Sequence, residues 1–430
     1  MRPGKNLTGI ALIMGLSVFS YFIAYVIRIV LARHLGPKDY GLFYAIFTLI
    51  MMFLFLRDLG LDQALTRFIA RHKAKEEYDE IKSCITVAVG IQLFVSFIVA
   101  VTFFLLSDWL AMNYFKDYRA AIALKIMAFY IVSSVIFSLT RGFFSGFKKF
   151  GWYSVIDPLK NVVTLGLIGL FIWLGKDFTA PIFAYSMVEF FMIGIFVWPM
   201  LKTFPYFKYR NVELKQTAKT MLVFGVPLVA AGAGNRIISF FDVLMLTYYG
   251  TLTEVGIYNI SLPFAMSMLF ISSAVTAVSL PILTESWTKG LFDKFRKTLR
   301  KIKIYAGLLS VFSALVATVL STILIGVLFG TEYLGAVPSF IILVWGMVFF
   351  IIGSINYSAL GAIDNTKPVA KITLMAAGLN IILNILFIPK FGINGAAIAT
   401  TISYFLIFFL SEIKIRRLIN ADHSNIANAQ

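Results

Sequence analysis

Twelve charged residues that stand inside long apolar runs of this chain are the places to look for chemistry. The cations are Arg28, Arg57, Arg67, Lys125, Arg141, Lys160 and Arg236, and the acids are Asp58, Asp62, Asp157, Glu189 and Asp242. An uncompensated arginine near the middle of a membrane helix costs roughly 3 kcal/mol, so each such group should face water, a partner or a ligand. Guanidinium and ammonium groups in such places suit anionic head groups, which they hold by charge-assisted hydrogen bonds. A deep carboxylate with no cation beside it suits proton or sodium uptake.

On that chemistry, Arg28, Arg57, Lys125, Lys160 and Arg236 are the candidates for binding an anion. Asp58, Glu189 and Asp242 are the candidates for carrying a coupling ion, H+ or Na+. Duller explanations compete. Arg28 in "SYFIAYVIRIVLARHLGP" can snorkel to the head groups, as can Lys125 and Arg141 near the ends of their run. Arg67 fits a solvated helix end, with Asp58 and Asp62 sharing another face at i, i+4. Lys160 and Asp157, at i, i+3, form an expected self-neutralising pair, which leaves Glu189 with no cation at helical spacing. Cys84 is the single cysteine, and His34, His72 and His423 are scattered, so neither a disulfide nor a metal centre is expected.

The elements that must position these groups follow from composition. Of 430 residues, 60% are hydrophobic and 14% charged, and the mean hydropathy is positive. Such a chain belongs to a polytopic membrane protein. Twelve apolar stretches are long enough to cross a hydrocarbon core of about 30 Å: 8–32, 40–70, 84–106, 120–147, 151–174, 179–201, 217–247, 253–283, 303–328, 337–361, 368–388 and 394–413. Lipid offers backbone groups no partner, so these runs must be helical. The first is too long for a signal peptide and is kept as a pass. With both termini cytoplasmic, 25 Lys and Arg fall on the inner side and 6 on the outer. That ratio fixes the expected orientation and absorbs the +17 net charge, which removes nucleic acid as a partner.

The second half repeats the first. "LGPKDYGLF" (35–43) answers to "YGTLTEVGIY" (249–258), and Lys75, Asp79 and Lys82 answer to Lys289, Asp293 and Arg296. Gly175, Ala180 and Ser186 answer to Gly392, Ala397 and Ser403. At the smallest of these offsets, Arg28 is the counterpart of Asp242. Six passes return each half to its starting side, so the halves are parallel repeats. The expected architecture is all-α, with twelve transmembrane helices in two six-helix lobes, 1–210 and 211–420, about a V-shaped central cavity. A cytoplasmic tail, 421–430, follows. "FGVPLVAAGAGNR" (224–236) offers a hinge or a close helix approach through Pro227 and its small residues. "TESWTKGLFDKFRKTLRKIK" (284–303) reads as an amphipathic helix in the inner head-group layer that prefers anionic lipid.

Four stretches carry a family resemblance: "ARHLGPKDYGLF", "RDLGLDQALTRFIA", "FFDVLMLTYYGTLTEVGIYN" and "LNIILNILFIPKFGINGAAIATTIS". Together they resemble the polysaccharide transporter family, the O-antigen type flippases of the multidrug/oligosaccharidyl-lipid/polysaccharide exporter superfamily. The resemblance covers nearly the whole chain and implies two six-helix lobes. It also implies translocation of a polyprenyl-linked, phosphate- or pyrophosphate-bearing oligosaccharide to the outer leaflet, with cation coupling and without catalysis or a cofactor. Glycan assembly enzymes would be the partners and the plasma membrane the location. The alternatives are a multidrug cation antiporter, whose cavity should be acid-rich, and a lipid II flippase, which generally has two further helices. A membrane polymerase or ligase is disfavoured, because the longest external loop (107–119) holds no nucleophile–base constellation. No P-loop is present for direct ATP drive.

Overall fold

The computed structural model describes the backbone of residues 3–427 and the side chains of 15–230 and 232–418. Among the described residues every regular element is helical. The chain runs through α1 (Pro3–Asp58), α2 (Leu61–Ala74), α3 (Tyr78–Leu110), α4 (Arg119–Gly146), α5 (Phe150–Trp173) and α6 (Thr179–Thr203). It continues through α7 (Leu214–Tyr249), α8 (Leu252–Met266), α9 (Leu269–Thr288), α10 (Phe292–Leu328), α11 (Ala336–Ala362) and α12 (Lys367–Ala427). The tail expected at 421–430 lies outside the residues whose side chains are described.

Nine helices among the described residues are long and apolar enough to cross a membrane, or ten when the bent pair Leu214–Ala230 and Gly232–Tyr249 is one span. The difference from the twelve expected stretches resides in two long elements. α1 is interrupted at Gly36 (φ 69°, ψ 169°) and α12 at Gly392 (φ 53°, ψ −131°). Both conformations are open to glycine and break the i→i−4 ladder. Each break falls between two of the stretches read from the sequence.

The chain divides into two compact units, Met1–Ala231 and Gly232–Gln430. In the first, α4 is the central helix, packed on α1, α2, α3, α5 and α6; in the second, α11 is central, packed on α8, α9, α10 and α12. These are the two most deeply buried spans, and they begin 217 residues apart, at Arg119 and Ala336. The same member of the repeat therefore forms both hubs.

Small residues allow the close approach. A Cβ on Gly142 of α4 would lie 2.5 Å from the Asp62 carbonyl oxygen of α2, and one on Gly353 of α11 would lie 3.1 Å from Ile407 of α12. Between membrane helices such contacts supply the packing that the hydrophobic effect cannot.

The stretch 284–303 is not one amphipathic helix. α9 ends at Thr288, Gly290 (φ 68°) turns the chain, and α10 begins at Phe292. Its apolar stripe turns inward, because Phe295 and Leu299 join a buried cluster with Leu283, Ile355 and Leu360, and Trp287 and Ile302 pack on it. The stripe thus finds protein partners instead of the head-group layer.

Candidate functional site

The membrane-depth charges resolve into separate clusters. In the first unit, Arg28 of α1 is partly buried, with its guanidinium 4.6 Å from the centre of the Tyr44 ring. Tyr40, Tyr185 and Tyr25 are its further electrostatic neighbours. Tyr44 and Tyr40 lie 4.6 Å apart, and Tyr185 packs on Phe47 at 4.8 Å. The cation thus sits against the Tyr44 ring with tyrosines of α1 and α6 in its surroundings, a setting in which a desolvated cation–π contact is worth about 2 kcal/mol.

Arg57, at the end of α1, is 3% exposed. Its Nη1 donates to Ser134 Oγ (2.8 Å), the Ile131 carbonyl (3.0 Å) and Ser96 Oγ (3.3 Å), and its Nη2 donates to Ser138 Oγ (3.2 Å). Ser138 Oγ donates to Gln92 Oε1 (3.0 Å), and Gln92 Nε2 donates to Asp58 Oδ1 (3.0 Å). Arg57 and Asp58 are therefore tied to α3 and α4 through hydroxyls and one amide. This arrangement satisfies both Arg57 terminal nitrogens, though not its Nε, and ties the end of α1 to the hub helix.

The pairing read for α5 is corrected. Lys160 Nζ lies 2.6 Å from Glu189 Oε1 on α6, and Asp157 accepts from Arg141 of α4. The expected i, i+3 pair Lys160–Asp157 gives way because each residue finds a cross-helix partner. Glu189 is wholly buried while Lys160 is 19% exposed, and the ammonium also sits 4.3 Å from the Phe137 ring. Lys125 pairs with Asp108 of α3 at 3.0 Å in an exposed position. Arg67 lies over the Phe224 ring at 4.3 Å.

In the second unit Asp242 of α7 is 0% exposed. Its oxygens accept from Thr400 Oγ1 (2.5 Å), Tyr258 OH (2.6 Å), Asn384 Nδ2 (2.8 Å) and Asn380 Nδ2 (3.3 Å). Asn384 also donates to Asn380 Oδ1 (3.1 Å). A buried carboxylate is ringed by four neutral partners from α8 and both halves of α12. The amide oxygens of Asn380 and Asn384 and the hydroxyl of Thr400 are hard oxygen donors of the sort that small cations and protons use. The sequence reading found Asp242 but missed its partners. The signal was present, since Asn380 and Asn384 at i, i+4 put two amides on one face of an apolar pass. Arg236 is exposed and six residues away, about 120° round the helix from Asp242.

A second pair also escaped the sequence reading. Lys303 Nζ lies 2.6 Å from Glu412 Oε2, with side chains 18% and 17% exposed. Asn356 Nδ2 donates to Glu412 at 3.1 Å and Arg416 Nε at 2.7 Å. The cluster joins α10, α11 and α12. Both charges sit at the ends of apolar runs, where they pass for loop residues.

Ionisable clusters inside long apolar helices, arranged in two helical units with equivalent hubs, define a multi-pass, all-α membrane protein. The family described as "Polysaccharide biosynthesis protein" matches residues 7–287, and the chain belongs to that family. A second family, MatE, matches residues 227–386. The chain is 29% identical, over 94% of its length and 84% of the other's, to "Uncharacterized membrane protein MJ1068" of Methanocaldococcus jannaschii. It is 23% identical, over 87% of its length and 75% of the other's, to "Probable low-salt glycan biosynthesis flippase Agl15" of Haloferax volcanii. Among solved structures it is similar to "Lipid II flippase MurJ, inward closed conformation", with a TM-score of 0.77 at 16% identity. That alignment covers 94% of this chain and 87% of the other.

Proposed function

We propose that the protein is a flippase. It moves a polyprenyl-phosphate- or pyrophosphate-linked oligosaccharide from the cytoplasmic to the outer leaflet by alternating access, in the synthesis of a surface polysaccharide. The family membership and a relative named as a glycan biosynthesis flippase support the substrate class. The observation that carries the reading is Arg28, a guanidinium presented among tyrosines at membrane depth. Such a group, bordered by aromatic faces, offers charge-assisted hydrogen bonds to a phosphate.

In this reading Arg28 and Arg236 are each contacts for the phosphate head as it crosses. Arg57 and Lys160 are already engaged by Ser134 and Glu189, so they hold the helices that carry the site; Lys125 is engaged by Asp108. Asp242 takes the coupling ion, H+ or Na+, because a buried carboxylate ringed by neutral donors gains most from neutralisation. Glu189 and Asp58 are neutralised or hydrogen-bonded within the first unit and serve its folding. The charge distribution supports both termini being cytoplasmic. The exposed lysines and arginine at the start of α10, Lys294, Lys297, Arg300 and Lys301, meet anionic lipid, and glycan assembly enzymes deliver and receive the substrate.

The MatE match favours a second reading, a multidrug cation antiporter. Reconstitution separates the two. Purified protein in vesicles should flip a fluorescent polyprenyl-diphosphate-linked sugar and show no drug-dependent exchange of H+ or Na+; the opposite pattern supports the antiporter.

A further inference from the structure

Two apolar cavities lie end to end along one face of α10. The first, 410 Å³, is lined by Ile302, Tyr305 and Leu309 of α10 and by Val275, Val278 and Ile282 of α9. The second, 260 Å³, is lined by Phe312, Val316 and Leu324 of α10, by Phe264 of α8, and by Phe340 and Val344 of α11. Leu309 and Phe312 are one turn apart. The stripe Thr298, Ile302, Tyr305, Leu309, Phe312, Val316 keeps helical spacing throughout. The opposite wall is α9 at the first cavity and α8 with α11 at the second. Val278, Tyr305 and Phe312 are 64%, 69% and 65% exposed, so the groove opens sideways rather than toward the core.

Length and charge single out an occupant. From Thr298 to Leu324, α10 rises about 39 Å at 1.5 Å per residue. That exceeds a hydrocarbon core of about 30 Å. A phospholipid acyl chain reaches through one leaflet only, so a single chain that fills the whole groove must be longer than an acyl chain. The first cavity's end is basic. At 100° per residue, Lys294 and Lys301 fall within about 40° of Tyr305 on the helix face, and both are exposed. The second cavity has no charged residue in its lining among the described residues. A groove that is apolar for the depth of a membrane and cationic at one mouth fits a long hydrocarbon chain ending in a phosphate.

We propose that this groove seats the polyprenyl chain of the lipid-linked substrate when it first docks, with its phosphate end at Lys294 and Lys301 before the head group moves on to Arg28 and Arg236. The proposal rests on the flippase reading and adds the site that recognises the carrier. It makes carrier length a property that the protein senses, separately from the sugar.

Photocrosslinking tests the groove without requiring transport. The full-length protein, in phosphatidylcholine vesicles, is irradiated with a long-chain polyprenyl phosphate bearing a diazirine in its chain. Label should map to 275–282 and 302–316 and be displaced by unlabelled polyprenyl phosphate, but not by excess phosphatidylglycerol. Label elsewhere, or displacement by phosphatidylglycerol, which would mark an ordinary lipid contact, overturns the proposal. The double variant Lys294→Gln/Lys301→Gln changes only exposed side chains. It should weaken labelling by the phosphate and spare labelling by the matching polyprenol; equal loss of both, or no loss, counts against it. In a transport arm, Val278→Trp should slow flipping of a long-chain sugar phosphate about tenfold and leave a farnesyl-linked analogue at the wild-type rate. Equal slowing of both carriers, or of neither, contradicts a chain-recognition role. A wild-type protein that flips neither carrier would refute the flippase reading, while crosslinking still decides what the groove holds.

Discussion

Lys160 of α5 reaches across to Glu189 of α6 at 2.6 Å, and the carboxylate it meets is wholly sealed from solvent. The two residues are 29 apart in sequence, and the acid three residues before the lysine turns instead to Arg141. A buried ion pair is weak evidence of net stability, but breaking one partner leaves an uncompensated charge, a loss of roughly 3–5 kcal/mol. Glu189→Gln should therefore lower the melting temperature of the detergent-solubilised protein markedly. Lys160→Met combined with Glu189→Met should recover most of that loss. Equal melting of the single and double variants would show that the pair is not coupled.

Asp242→Asn keeps the shape of the side chain and removes its charge. The variant should remain folded and lose the dependence of flipping on an imposed H+ or Na+ gradient. Gradient-jump transport in vesicles reads this directly. The amide must also accept from Thr400, Tyr258, Asn384 and Asn380, with one oxygen where the carboxylate has two. A loss of about 1–3 kcal/mol in stability is the expected side effect.

The contact of Gly142 with α2 is steric. A Cβ there would come within 2.5 Å of the Asp62 carbonyl oxygen, a backbone atom that cannot swing aside. Gly142→Val should cost about 1–3 kcal/mol through displacement of α2 from the hub. Gly166→Val is the control, since a Cβ there meets nothing within 4 Å. Thermal melting of the two variants should differ accordingly.

At the loop before α4, the Arg119 guanidinium hydrogen-bonds Asp117 and holds its carboxyl below the ordinary value. Because the folded-state pKa is depressed, the stabilisation is present above the unfolded carboxylate value of about 3.9. It is lost as pH falls through the lower folded value. The pair is partly exposed, so the effect should be at most about 1 kcal/mol. Melting of wild type and Asp117→Asn should differ at neutral pH and converge in acid.

The fold was legible in the sequence for physical reasons that act locally. Apolar length demanded helices, and charge on short loops gave the expected orientation. The near-constant repeat spacing anticipated that α4 and α11 would occupy equivalent places. Long-range pairings were less legible, because a residue's best partner is chosen by helix packing rather than by sequence spacing. Lys160 looked paired with Asp157 and Glu189 looked alone; Asn380 and Asn384 shared a helix face, but nothing in their spacing said that their amides, with the hydroxyls of Tyr258 and Thr400, would donate to Asp242. The stripe in 284–303 misled for a related reason. An apolar helix face reads the same whether it meets lipid or a neighbouring helix, and Phe295 and Leu299 meet a neighbour. The tyrosines around Arg28 were hidden in a chain with 19 of them.

The central claim is that guanidinium groups at positions 28 and 236 receive the phosphate of a lipid-linked sugar. Flipping of a polyprenyl-diphosphate sugar should be measured in vesicles for wild type, Arg28→Ala and Arg236→Ala at matched amounts of folded protein. The account predicts that each variant loses flipping, and that Arg28→Lys, which keeps charge without the bidentate fork, recovers only part of it. Wild-type rates in both alanine variants would contradict it.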